Sequence, residues 1–267
     1  MQQLSIQDRH SFARALTAMG QHAAQVLMEG YRKSPTVSYK GPLDLVTEYD
    51  QMSEAILRSA CETMLPGLAL VCEESGGQHS LDAPTLYIDP LDGTTNFAHG
   101  HPVFAVSLGV VSADGPEVGV VIAPALGLTW VGVRGDRTTR NGERVRVSTT
   151  ERLDRSLLGT GFPYDRRSSE ENNLREFAHI EAHIAQGVRR LGSAACDLCF
   201  VSDGTYDGYW ESKLQPWDIA AGAACVLAAG GTLTATRSGA PFDTRTGDIL
   251  ATNGLIHQGL QQALRLS

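Results

Sequence analysis

The segment Leu86 to Phe97, reading LYIDPLDGTTNF, constrains this chain more than any other. It begins as an apolar run of strand type and ends in two aspartates, Asp89 and Asp92, three residues apart around Pro90. Pro90 fixes its own φ, and Gly93 allows close approach of backbone to a ligand. The segment therefore reads as a strand end turning into a tight loop. Two carboxylates held together repel each other unless a cation sits between them. Oxygen-rich groups of this kind suit magnesium, which takes a few carboxylates with waters and phosphate oxygens. An Asx-type turn that merely ends a strand fits the same residues, so this segment alone leaves both readings open.

Three further acidic elements stand at element boundaries. Glu73-Glu74-Ser75 follows the apolar run Leu68 to Cys72, so a glutamate emerges at a strand end. Asp44 to Asp50 sits where a helix begins, and Thr47 with its acids favours a helix N-terminus whatever the function. Trp217-Asp218 follows Pro216 and opens an alanine-rich helix, where Asp218 could equally be a cap. Each has a plain structural explanation, but four together are harder to set aside.

The periodicity places these motifs. Phe12, Leu16, Met19, Ala23 and Val26 recur at helical spacing over Ser5 to Gly30, and Met52, Ile56, Ala60 and Met64 do so over Thr47 to Met64. Pro35, Gly41 and Pro42 mark the loop between them. Short apolar runs predict strands at 68–72, 86–89, 103–111, 117–123 and 128–134, with Asn141-Gly142 as a tight turn leading into a strand at 145–148. Beyond residue 150 strands at 157–159, 188–191, 206–211, 232–235 and 248–252 alternate with helices at 168–186, 193–202, 217–229 and 256–264. At 267 residues this makes one unit of two halves, an α+β half over 1–150 and an α/β half over 151–267.

A net charge of −8 disfavours general nucleic-acid binding, and means that a pocket taking a phosphate needs cations. Five irregularly spaced cysteines argue against a secreted disulfide framework; Cys196 and Cys199 read as buried helix residues. No apolar stretch approaches the roughly 18 residues of a membrane span. A cytoplasmic location is the default expectation.

Taken together, Asp44-Leu45-Val46-Thr47 with Asp50, Glu73-Glu74-Ser75, Asp89 to Phe97, Gly192-Ser193-Ala194-Ala195 and Trp217 to Gly222 resemble, in order and spacing, the successive motifs of the inositol monophosphatase family. The resemblance covers residues 10 to 260. It implies a layered α-β-α-β-α sandwich and hydrolysis of a phosphate monoester with two to three magnesium ions. Glu73, Asp89, the Leu91 carbonyl and Thr94 would hold the first ion. Asp89, Asp92 and Asp218 would hold the second, and a third, weaker ion would lie near Glu73. The Gly93 and Thr94 amides would meet the phosphate, and Asp50 with the Thr94 hydroxyl would take a proton from the attacking water. Ser193, Ala194 and Glu211 would line the polyol side. The family resemblance also implies a homodimer and inhibition by lithium. Cys72 departs from the glycine common at that position, which raises the question of a redox-sensitive thiol near the metals.

The expected substrate order is inositol monophosphate, then a related sugar or polyol monophosphate, then histidinol phosphate. A non-catalytic regulatory or protein-binding module on the same fold is the rival reading. No Gly-x-Ser-x-Gly elbow or phosphate-binding Gly-x-x-x-x-Gly-Lys loop is present. Gly159-Thr160-Gly161 reads as a strand end, and His99 and His101 as loop residues.

Overall fold

Helix and sheet alternate in five layers in the computed structural model, which describes residues 4–41, 43–80 and 83–265. Pro42, expected in the first loop, lies outside them. Among the described residues the seven helices are α1 Ile6–Gly30, α2 Glu48–Met64, α3 Thr94–Ala98, α4 Leu174–His183, α5 Ala194–Ser202, α6 Pro216–Ala228 and α7 His257–Arg265. Reciprocal capping boxes start the first two: Ser5 with Asp8 for α1, and Thr47 with Asp50 for α2. The apolar stripe of α1, from Ala13 through Leu16, Met19 and Ala23 to Leu27, packs with Leu57 and Cys61 of α2 onto one face of an eight-stranded sheet.

That sheet runs Glu143–Val145, Thr138–Arg140, Leu128–Val133, Gly115–Ala123, Ala105–Ser112, Thr85–Asp92, Ala69–Cys72 and Gly76–Gly77. Its pairs are antiparallel except Ala69–Cys72 with Thr85–Asp92. The second sheet runs Gly187–Arg189, Leu157–Thr160, Gly208–Glu211, Ile249–Thr252 and Thr232–Thr234. Helices α5 and α6 fill the space between the sheets. Ala195, Cys199, Ala221 and Cys225 meet Val121 and Trp130 on one side. Leu198, Ile219 and Val226 meet Tyr209, Ile249 and Ala251 on the other. Helices α4 and α7 close the outer face with Ile180, Leu260 and Leu264 over Leu158, Trp210 and Leu250.

The seat of α6 is cut by glycine. Gly109, Gly119 and Gly132 pair in register across three neighbouring strands. A Cβ on any of them would overlap Ala220, Ala221 or Cys225 of α6. The helix whose first turn carries Asp218 therefore lies on bare backbone.

Several boundaries differ from the sequence reading. The strand expected at 86–89 runs through Asp92, with a register shift between Asp89 and Asp92 against its neighbour; Pro90 is accommodated at that irregularity rather than in a loop. The helix expected over 168–186 spans only Leu174–His183. Asn173 sits before it at φ 65, its amide donating to the Thr160 hydroxyl and the Gly161 carbonyl and its oxygen accepting from Trp210. Those tertiary bonds hold Asn173 out of the helix. The strand expected at 145–148 is Glu143–Val145, because pairing resumes directly after the Asn141-Gly142 turn, whose residues have φ 51 and 84. The strand expected at 188–191 is Gly187–Arg189.

Candidate active site

Asp50, at the third position of α2, is fully buried. Its Oδ2 accepts the Thr47 N–H at 2.8 Å and the Thr47 hydroxyl at 2.6 Å. Its Oδ1 faces the Thr94 hydroxyl at 3.0 Å. Burial pushes the Asp50 carboxyl up to about 7, opposed by the bonds from Thr47 and Thr94. Three residues further along α2, the Ser53 hydroxyl donates to the Pro90 carbonyl at 2.8 Å. One helix thus registers both the Asp89–Asp92 segment and Thr94.

Asp89 and Asp92 lie on the same wall of a cavity of about 520 Å³, with Glu73 and Asp218. The Asp89 carboxylate accepts the Leu91 N–H at 2.9 Å. Asp92 Oδ2 accepts the Ser193 hydroxyl at 2.6 Å and the Ala195 N–H at 2.8 Å, so it is fixed from the start of α5. Asp218 Oδ2 accepts the Gln215 N–H at 2.7 Å; it is a helix cap and a cavity residue at once. Glu73 Oε1 takes Lys40 Nζ at 2.9 Å.

Electrostatics make this wall unusual. Burial pushes Asp89, Asp92 and Asp218 above the ordinary carboxylate range, and the charges of Glu73 and of the neighbouring aspartates push the same way. Among the described residues no three Asp, Glu, His or Cys side chains stand as a ready cage around one point. The fit to a metal rests on the donor set: several buried oxygen donors with too few cations nearby, which is the chemistry of a hard divalent ion.

Gly93 links the carboxylates to α3 at φ 90. A Cβ there would crowd the Val103 and Gly192 carbonyls, at 3.0 and 3.2 Å, so glycine is required by conformation and by space. Thr94 opens α3, and its hydroxyl also lies 3.0 Å from the Leu91 carbonyl. Ser193, Ala194 and Glu211 line the same cavity. Glu211 is buried, accepts the Tyr209 hydroxyl, and is pushed up to about 7 by burial. Its carboxylate lies against Gly161, where a Cβ would overlap it.

All the sequence-identified residues come together here, with one distinction: Asp50 stands behind Thr94 rather than on the cavity wall. His99 and His101 do not line the cavity. Cys72 is buried in the core with its thiol pushed up by burial, which disfavours the reactive thiolate. The sequence reading missed Arg190, Tyr164 and Asp197, which share the cavity. Asp197 is buried with one carboxylate oxygen lacking a hydrogen-bond partner. Its position one turn after Ser193 on α5 was the available signal.

The sequence model of the inositol monophosphatase family matches residues 8–267. An inositol-1-monophosphatase of Synechocystis sp. is 49% identical over 222 residues, covering 83% of this chain and 77% of that protein. A putative Nus factor SuhB of Neisseria meningitidis serogroup B is 41% identical over 211 residues, covering 79% and 80%. The solved inositol monophosphatase of Anabaena (Nostoc) sp. superposes with a TM-score of 0.87 at 41% identity, covering 96% of each chain. With a family match over nearly all its length and the same layered fold, this chain belongs to the inositol monophosphatase family of phosphoric monoester hydrolases.

Proposed function

We propose that this protein hydrolyses inositol monophosphate to inositol and phosphate with magnesium as its metal. The observation that carries the reading is the convergence of Asp89, Asp92 and Asp218 beside Glu73, each aspartate raised by burial and by its neighbours' charge. A cation relieves that repulsion, and oxygen-only donors favour magnesium. Glu73, Asp89, the Leu91 carbonyl and Thr94 would hold one ion, and Asp89, Asp92 and Asp218 a second. A weaker third would lie near Glu73, and lithium would inhibit by replacing a weakly held magnesium. Bound there, the ions would neutralise the phosphate dianion and lower the pKa of a water.

The remaining work falls to the protein's own groups. The Gly93 and Thr94 N–H groups would orient phosphate oxygens. Thr94 would relay a proton from water to Asp50, whose carboxyl at about 7 suits a base at neutral pH. Glu211 would accept bonds from ring hydroxyls, with Ser193 and Ala194 beside it. Residues 1–150 would supply most of the carboxylates, and residues 151–267 Asp218 and the polyol wall. The resemblance also supports a homodimer, and five free buried cysteines are consistent with a reducing cytoplasm.

Phosphate release from inositol 1-phosphate, histidinol phosphate and fructose 1,6-bisphosphate, with magnesium and with chelator, tests the reading. Fastest magnesium-dependent release from inositol 1-phosphate is expected. Faster release from another ester would move the substrate, and none from any would move the reading to a non-catalytic module.

A further inference from the structure

Glu54 lies one helical turn beyond Asp50 on α2 and is buried, at 4% exposure. Its two carboxylate oxygens are divided between two consecutive backbone groups: Oε2 accepts the Glu74 N–H at 2.8 Å, and Oε1 the Ser75 N–H at 3.0 Å. One turn further, Arg58 Nη1 donates to the Ser75 hydroxyl at 2.6 Å. The turn after Glu73 is therefore fastened from α2 at three atoms. Glu73 itself donates its N–H to the Ile88 carbonyl at 3.1 Å, and its carboxylate meets Lys40 Nζ at 2.9 Å.

The chemistry of this clamp is specific. Two adjacent N–H groups facing one side chain need an acceptor with two oxygens and no donor, which is a carboxylate. Hydrogen bonds to a charged acceptor are also the stronger kind. What the carboxylate adds is a fixed orientation for the backbone that delivers Glu73 to the cavity.

We infer that Glu54 is a positioning residue for the Glu73 carboxylate, acting through the Glu74 and Ser75 amides to set magnesium affinity. This rests on the reading of Glu73 as a metal-holding residue. Groups that orient metal ligands from behind are typically worth about 10–100-fold in metal affinity or activity.

The test uses the full chain as E54Q, an isostere that keeps one acceptor but turns an amide NH₂ toward the second N–H. Glu62→Gln, from the same α2 groove, is the control. Magnesium binding is measured by calorimetry, amide exchange is followed at Glu74 and Ser75, and phosphate release is titrated with magnesium. In E54Q, magnesium binding about 10–100-fold weaker is expected, with faster exchange at Glu74 and Ser75 and kcat recovered at high magnesium. Glu62→Gln should match wild type. Unchanged magnesium affinity in E54Q, even with a lower Tm, would overturn the inference and leave the metal reading standing. Wild type that takes up no magnesium would overturn both. Should E54Q fail to fold, Arg58→Ala loosens the same turn from a more exposed position. A smaller shift in the same direction is expected there, and no shift would overturn the inference.

Discussion

The Thr94 hydroxyl stands 3.0 Å from Asp50 Oδ1 and is the link between that buried carboxyl and the cavity. It lies equally close to the Leu91 carbonyl, so its single proton has two acceptors to choose between. Asp50→Asn keeps the shape and the acceptor for Thr47 but loses the base. Phosphate release should fall about 10²–10⁴-fold, the usual contribution of general-base catalysis, while magnesium binding stays within a few-fold. Thr94→Ser should retain much of the activity and Thr94→Val little. Steady-state kinetics with calorimetry on the three proteins checks this, and an active Asp50→Asn would remove the dyad.

Glu211 gives a pH signature. Its carboxyl is pushed up to about 7 by burial, against 4.5 when exposed. Between those values the folded protein holds more protons than the unfolded chain, so stability falls as pH rises through the window. Glu211→Gln does not titrate. Relative to wild type its Tm should rise from pH 5 to pH 8, measured without divalent cations. A difference that stays flat or reverses would show that Glu211 is charged in the folded protein.

Gly161 leaves space for Glu211. A methyl group there would overlap the Glu211 carboxylate, so Gly161→Ala should displace it from the polyol wall. The expected result is a KM for inositol 1-phosphate raised about tenfold, a loss of about one hydrogen bond to a charged group, with magnesium half-saturation unchanged. Equal KM values would exclude Glu211 from substrate binding.

The glycine row makes a separate, structural prediction. Gly119→Ala places a methyl group against the Ala221 backbone, and overpacking of this kind typically costs about 1–3 kcal/mol. The displaced helix α6 carries Asp218, so the variant should also need more magnesium. Urea unfolding and a magnesium titration of the same protein measure both effects. A loss of stability with unchanged magnesium demand would show that Asp218 is held independently of the α6 seat.

Much of this was legible in the sequence, because the carboxylates sit at strand ends and helix starts that local chemistry marks. The Asp89–Asp92 pair, the Thr47–Asp50 cap and the Pro216–Asp218 helix start are all short-range patterns. What escaped was long-range. Gly109, Gly119 and Gly132 look like weak points in three strands until their register and α6 are known. Asn173 looks helical until its bonds to Thr160, Gly161 and Trp210 are seen. Glu54 looks like one more acid on a helix face, since nothing nearby in sequence announces its backbone partners twenty residues on.

Asp92 carries the sharpest test of the carboxylate wall. Asp92→Asn retains an acceptor for Ser193 and Ala195 and removes one like charge from a buried cluster. The variant should fold with a Tm at or above that of wild type in chelator, yet lose turnover and the stabilisation that magnesium gives wild type. A Tm well below wild type would make the carboxylate structural.

The most direct measurement is phosphate release from inositol 1-phosphate by chelator-stripped protein as magnesium is added back, with wild type and Asp92→Asn side by side. The expected result is no release before magnesium, saturable recovery in wild type, and none in Asp92→Asn. Release that ignores magnesium, or an Asp92→Asn protein that recovers like wild type, would contradict the assignment of this wall to metal-dependent hydrolysis.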